Sequence, residues 1–295
     1  MEHLGELAAA LGETADAAAF AARLAARRAD FHAAFFNAAT GLYGAGTQAA
    51  QAVALWTGAA AAGGVAVNVS AALAAAMTRG GIAFGFLGTK YAFEALAMNG
   101  HIDAALRTLL QTDFPSFGYE LYNQFEPTTN LWESFNSDVH RQWLDESSRS
   151  HHYQASLNTF FRKHVAGLDM PPGAAAWSSV AVRPFAALPL AADLAAALPH
   201  ARVTLAAHRG TIEVSWARVG AAALQLNATL PSGCQGTVSV PKAAGAATAV
   251  TEGGASVWAQ GAFVAGVPGV VAGAEDGSFI TFSVTSGAFV FLASA

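Results

Sequence analysis

A single cysteine, Cys234, occurs in 295 residues. That excludes an internal disulfide and any metal site built from several thiolates. Charge is also scarce: Asp, Glu, Lys and Arg together make up 12% of the chain, and the formal net charge is -5. No stripe of Lys and Arg occurs, so the electrostatic footprint of a nucleic-acid binder is missing. The opening residues, Met1-Glu2-His3-Leu4-Gly5-Glu6, have no basic stretch ahead of an apolar run and do not read as a secretory signal. The compartment is left unassigned. No Asp, Glu, Lys or Arg occurs between Asp30 and Arg79. A spanning helix needs ~20 strongly apolar residues, whereas this stretch is rich in Ala, carries Asn37, Gln48, Gln51 and Asn68, and is broken by Gly63-Gly64. It reads as buried helices rather than a membrane span. His140, His151 and His152 have no metal-ligand spacing, so neither a metal nor a cofactor is expected.

What is present is apolar: hydrophobic residues make up 54%, enough for a large core in two domains. The first part has helical periodicity. Leu7, Leu11, Phe20, Leu24 and Phe31 space a helix over roughly 4–38, with a reset near Thr14 and Asp16. Further helices are predicted over 47–56, 65–77, 90–98 (with Thr89 as N-cap), 102–110 and 152–165. Residues 112–149 show no convincing period and are expected to be irregular. Met170-Pro171-Pro172-Gly173 then reads as a boundary, beyond which short alternating strands separated by Gly, Pro, Asn and Ser turns predict a β-sandwich. The expected domains are a helical one over 1–168 and an all-β one over 173–295.

The irregular stretch is where acids gather. Residues 90–150 hold Glu94, Asp103, Asp113, Glu120, Glu126, Glu133, Asp138, Asp145 and Glu146, nine of the 20 carboxylates. A long unstructured connection is more often functional than accidental. Within it, Pro127-Thr128-Thr129-Asn130-Leu131-Trp132-Glu133-Ser134-Phe135 sets one carboxylate among aromatics, flanked by Phe117, Tyr119, Trp143 and the pair His151-His152. Sugar sites combine aromatic faces that stack on apolar sugar surfaces with carboxylates that bind hydroxyls and move protons. Inverting glycoside hydrolysis uses two carboxyl groups ~6.5–9.5 Å apart, one an acid and one a base that activates water. Glu133 suits the base. The same residues equally describe a loop carboxylate that bonds a backbone N–H or an Arg, a His at a helix start and Trp side chains in a core, and both descriptions stand at this level.

A series of blocks carries more specific information. Phe84-Gly85-Phe86-Leu87-Gly88-Thr89 with Tyr91, Glu94-Ala95-Leu96, Phe114-Pro115-Ser116-Phe117-Gly118-Tyr119, Thr129-Asn130-Leu131-Trp132-Glu133, His151, His164-Val165-Ala166-Gly167 and Arg183-Pro184 follow in order over nearly the whole chain. This series resembles the bacterial-type α-L-rhamnosidases of glycoside hydrolase family 78. The resemblance implies a partial (α/α)6 toroid of the six-hairpin glycosidase type followed by an all-β sandwich. It also implies inverting hydrolysis of terminal α-L-rhamnose from a rhamnose-containing glycoside. Carried over by position, Glu133 matches the general base, His151 a sugar-contacting His, and Trp132 lies in the same motif as a substrate-binding residue. Departures are Asn130 for a Thr, Phe117 for a Trp and Ser150 for an Asn. The family's general-acid motif, Asp-Cys-Pro-x-Arg, lies in the earlier half of the barrel and does not occur here. The expectation is therefore a C-terminal half that hydrolyses only with the rest of the barrel and self-associates through an exposed half-barrel face. The alternative is a non-catalytic chain that binds carbohydrate or is inactive.

Overall fold

The computed structural model describes residues 1–137, 148–220, 223–242 and 248–294. By internal contact the chain forms two units, Met1–Asn158 and Thr159–Ala295. In the first, helix α1 (Glu2–Ala10) ends at Gly12, whose φ of +79° is a left-handed stop, and α2 (Thr14–Phe35) restarts at the predicted reset. A two-residue ladder between β1 (Phe36–Asn37) and β2 (Leu42–Tyr43) leads into α3 (Gln48–Trp56). The Thr47 hydroxyl accepts the Ala50 N–H and caps α3. Then come α4 (Ala59–Ala62), α5 (Ala66–Gly80), α6 (Phe86–Met98) and α7 (Ile102–Leu110). Helix α3 lies against α5 and α6, and its Ala52 and Ala54 are buried, as are Ala92 and Ala95 of α6. Small side chains on both helices let the backbones approach, so the Ala content is what makes this packing close.

Two local expectations are corrected. Thr89 does not cap a helix: α6 begins at Phe86, with Gly85 at its N-cap and no side-chain cap bond. Thr89 sits inside the first turns, buried, and its hydroxyl donates to Gln154 Oε1 at 2.6 Å. A buried hydroxyl must find an acceptor, and a distant amide is used instead of the helix end. Residues 112–149 also include a helix, α8 (Phe117–Tyr122), capped by the Ser116 hydroxyl, which accepts the Tyr119 N–H at 2.9 Å. Pro115 and Gly118 masked it as breakers. Gly118 is there for space, because a Cβ at that position would lie 2.2 Å from the Gln111 carbonyl oxygen.

Past Ser148, residues His152–Ser156 form a 3₁₀ turn, followed by α9 (Leu157–Phe160) and a π turn over Phe161–Val165. The second unit is β-rich. One sheet has the order β11 (Ala262–Phe263), β10 (Ala255–Ala259), β9 (Ala249–Glu252), β14 (Gly287–Ser294), β7 (Ala223–Leu230), β6 (Gly210–Val219), β5 (His200–Ala207). The other runs β12 (Val270–Glu275), β13 (Phe279–Val284), β8 (Gln235–Pro241), β4 (Ser179–Val182), β3 (Leu168–Asp169). Only β4–β8 is parallel among these pairs. The sheets meet through aromatic rings: Phe282 of β13 stacks on Phe291 of β14 at 5.1 Å, and Trp258 of β10 meets Phe282 edge-on at 6.5 Å. Strand β14 shows the half-buried alternation, with Phe289, Phe291 and Ala293 buried between exposed Val290 and Leu292. Strands β13 and β14 are separated by a short break at Thr285-Ser286. No described helix is long and apolar enough to cross a membrane.

Candidate active site

The site is built upward from α8. Phe117 is buried against Phe93 (6.4 Å) and edge-on to Phe135 (5.2 Å), which seats α8 on α6 and on the loop that follows. Asn123 turns the chain: its side-chain oxygen accepts the Phe125 and Glu126 N–H groups at 3.0 and 2.6 Å, and its amide donates back to Tyr119 and Glu126 carbonyls. The returning loop then runs over α8. The Thr128 N–H donates to the Glu120 carbonyl at 2.9 Å, and the Trp132 N–H to Glu120 Oε2 at 3.4 Å. Glu120 is 1% exposed, and burial pushes its carboxyl up to about 8 despite the N–H it accepts.

Glu133 is held in place from the other side. Its N–H donates to the Ser148 carbonyl at 2.9 Å, and the Ser148 N–H donates back to Glu133 Oε2 at 3.0 Å. Two residues earlier the His151 N–H donates to the Leu131 carbonyl at 2.7 Å. The segments 131–133 and 148–151 are thereby clipped together at both ends. Arg149 forms an ion pair with Glu126 and lays its guanidinium 5.7 Å from the Trp132 ring. Trp132 is 1% exposed and so is packed under Arg149, with no open face. The Glu133 side chain is partly exposed, and its Oε1 takes no hydrogen bond from the described residues. Beside it in the clip, the His151 ring rests on Phe86 at 4.3 Å and lies parallel to His152 at 5.5 Å. Its Nδ1 is buried without a hydrogen-bond partner.

Chemically this is a partly solvated carboxylate fixed by main-chain bonds, with a backed imidazole on the paired segment. The structure brings together Trp132, Glu133 and His151 on one clipped pair of segments. Phe117 and Tyr119 are buried packing residues beneath it, while Trp143 and His140 lie outside the described residues. Sequence reasoning missed Glu120, Arg149 and Gln154. For Glu120 a signal existed: an acid one residue after Phe117-Gly118-Tyr119, three residues that belong in a core. Among the described residues no three His, Cys, Asp or Glu side chains gather as a metal site.

Residues 1–165 match the model of the bacterial alpha-L-rhamnosidase 6 hairpin glycosidase domain. The chain belongs to that family. Residues 167–255 match the bacterial alpha-L-rhamnosidase C-terminal domain. A curated relative, the alpha-L-rhamnosidase of Streptomyces avermitilis, is 30% identical over 132 residues, which is 45% of this chain and 12% of that protein. Among solved structures, the alpha-L-rhamnosidase of Dictyoglumus thermophilum aligns with a TM-score of 0.77 at 20% identity, over 100% of this chain and 30% of its own. That of S. avermitilis, complexed with L-rhamnose, aligns at 0.72 and 24% identity, over 98% and 25%. The chain thus spans under a third of the length of these relatives. Its architecture, a helical six-hairpin-type domain followed by a β-rich domain, is theirs.

Proposed function

We propose that the chain carries the general-base side of an inverting α-L-rhamnosidase site, acting on terminal, non-reducing α-L-rhamnose. Glu133 would take a proton from the water that attacks the anomeric carbon. His151, backed by Phe86 and itself only half-buried, would hold a sugar hydroxyl through Nε2, because Nδ1 is buried. Trp132 serves as the packed floor beneath Glu133. The observation that carries this reading is Glu133 itself: a partly exposed carboxylate whose N–H and Oε2 are both tied to the Ser148 main chain and whose Oε1 takes no hydrogen bond from the described residues. A base needs that combination of fixed position and access to water. The test is turnover of an aryl α-L-rhamnoside by Glu133→Gln in a longer protein that carries the rest of the barrel, with folding checked by circular dichroism. A loss on the order of a thousandfold in kcat is expected. Turnover equal to wild type would remove Glu133 from the mechanism.

A second reading is favoured by a specific observation. Of the other carboxylates on α8 and this loop among the described residues, Glu120 is buried and Glu126 is tied to Arg149. Neither is set to protonate a leaving oxygen. On that reading the chain by itself binds rhamnose without cleaving it. Saturation-transfer NMR with L-rhamnose separates the two: binding that His151→Ala abolishes, with no turnover, selects it, and hydrolysis excludes it.

A further inference from the structure

Glu120 takes no part in the chemistry just described, yet it is the buried acid nearest in the hydrogen-bond pattern to the proposed base. Its carboxyl is 1% exposed, so it cannot touch a sugar or a reacting oxygen. It grips the loop twice. Its carbonyl accepts the Thr128 N–H at 2.9 Å where the loop begins, and its Oε2 accepts the Trp132 N–H at 3.4 Å where the base is reached. The Trp132 peptide leads directly into Glu133, so the side chain that receives its N–H sets the height of the base above α8. Glu120 Oε1 has no hydrogen-bond partner among the described residues, so within them the carboxyl bonds only the loop.

A buried acid is a costly way to fill a core, and Leu or Met would fill the same space at lower cost. The expense is intelligible if the acceptor is needed by the Trp132 N–H, which would otherwise be buried without a partner. The seat of α8 points the same way. Gly118 allows α8 to press against the Gln111 carbonyl, and Ser116 caps it, so Glu120 rides on a helix whose position is fixed at its first turn.

We infer that Glu120 is a positioning residue: its side-chain oxygen fixes the Trp132 amide and through it the placement of Glu133. This rests on the reading of Glu133 as base, but the loop contact can be tested without it. The measurement is amide hydrogen exchange over residues 128–137 in the intact chain, for the wild type, Glu120→Leu and Glu120→Gln. Leu keeps the bulk and removes the acceptor, whereas Gln keeps an acceptor oxygen. Glu120→Leu should speed exchange of the Trp132 amide about tenfold, the loss of one net hydrogen bond, while α5 and α6 exchange as before. Glu120→Gln should restore the protection. Unchanged exchange in Glu120→Leu overturns the inference. So does uniform loosening of the helical unit, or failure to fold, because Glu120 would then support the whole core and not the loop. Kinetics on an aryl α-L-rhamnoside, in a longer protein that carries the rest of the barrel, separate the two ideas: Glu120→Leu should lower kcat with KM little changed, and Gln should rescue it. If exchange behaves as expected but Glu133→Gln turns over like wild type, the base reading fails and the loop role of Glu120 stands.

Discussion

At the scale of single residues, the decisive contrast is between two carboxyl groups thirteen positions apart in sequence. Glu133 is partly exposed and held by main-chain bonds, so it can meet water. Glu120 is buried, and burial raises its carboxyl from the ordinary 4.5 to about 8. The sign of the consequence follows from linkage. Across pH 4.5 to 8 the folded chain keeps a proton that the unfolded chain has released, so stability is full below about 4.5 and falls as pH rises through 8. Glu120→Gln has no proton to lose. Thermal melts of the two proteins should therefore coincide near pH 4.5 and separate toward pH 8, with Gln ahead by as much as a few kcal/mol. Parallel pH profiles would mean that Glu120 is solvated. In the sequence only its place after Phe117-Gly118-Tyr119 set Glu120 apart. Glu133 stood out because a Trp and a set of matching blocks surrounded it. Glu120 was one of nine acids in its stretch, and burial is a property of the fold.

At the scale of elements, the two contacts that position the loop and the imidazole are short and replaceable. The Thr89 hydroxyl donates to Gln154 Oε1 and joins α6 to the 3₁₀ turn that follows His151, while Gln154 Nε2 has no partner among the described residues. Thr89→Val should cost ~1–3 kcal/mol, because it leaves a buried amide oxygen unpaired, read as a lowered urea midpoint. The seat of α8 is more exacting. Gly118→Ala puts a methyl 2.2 Å from a main-chain oxygen that is not free to yield. A loss of ~2–4 kcal/mol is expected, with faster exchange in residues 117–137. The same elements mark how far the sequence could be read. The long helices and most strands were legible because their periods run for several turns or pairs. Helix α8 was not, since six residues carry too little period and Pro115 and Gly118 signal a break. The cap at Thr89 was misread for a related reason: a hydroxyl after Gly looks the same whether it bonds its own helix or a distant amide. Strand β9 has only four residues, and β12 carries Ala272, Gly273 and Ala274 at its centre, so neither shows a sustained alternation.

At the scale of the whole chain, the helical unit leaves much apolar surface uncovered. Helix α2 spans 22 residues and buries none of them. Leu4, Leu7, Leu11, Phe35, Val67 and Leu87 are all exposed. A cleft of about 440 Å³ between α2, α3 and α6 is lined by Phe31, Phe35, Tyr43, Val53, Leu87 and Tyr91. Apolar patches of this kind are seldom left open by monomers. The chain by itself should self-associate, and sedimentation velocity at micromolar concentration should show species larger than one chain. A single monomer peak over a hundredfold range of concentration would contradict this. The β-rich unit has no such exposure on its inner faces, and Phe282 marks its centre. Phe282→Ala should cost ~3–5 kcal/mol, measured by chemical denaturation of that unit's signal.

The clip that joins Leu131 to His151 and Glu133 to Ser148 has a consequence for how such a protein can change. It ties Glu133 by bonds that do not depend on how long the intervening sequence is. Closing a longer excursion is cheap, only about 0.6 kcal/mol for each doubling of its length. The Glu133 carboxylate therefore keeps its place by a tie that substitution or insertion in the intervening sequence need not break.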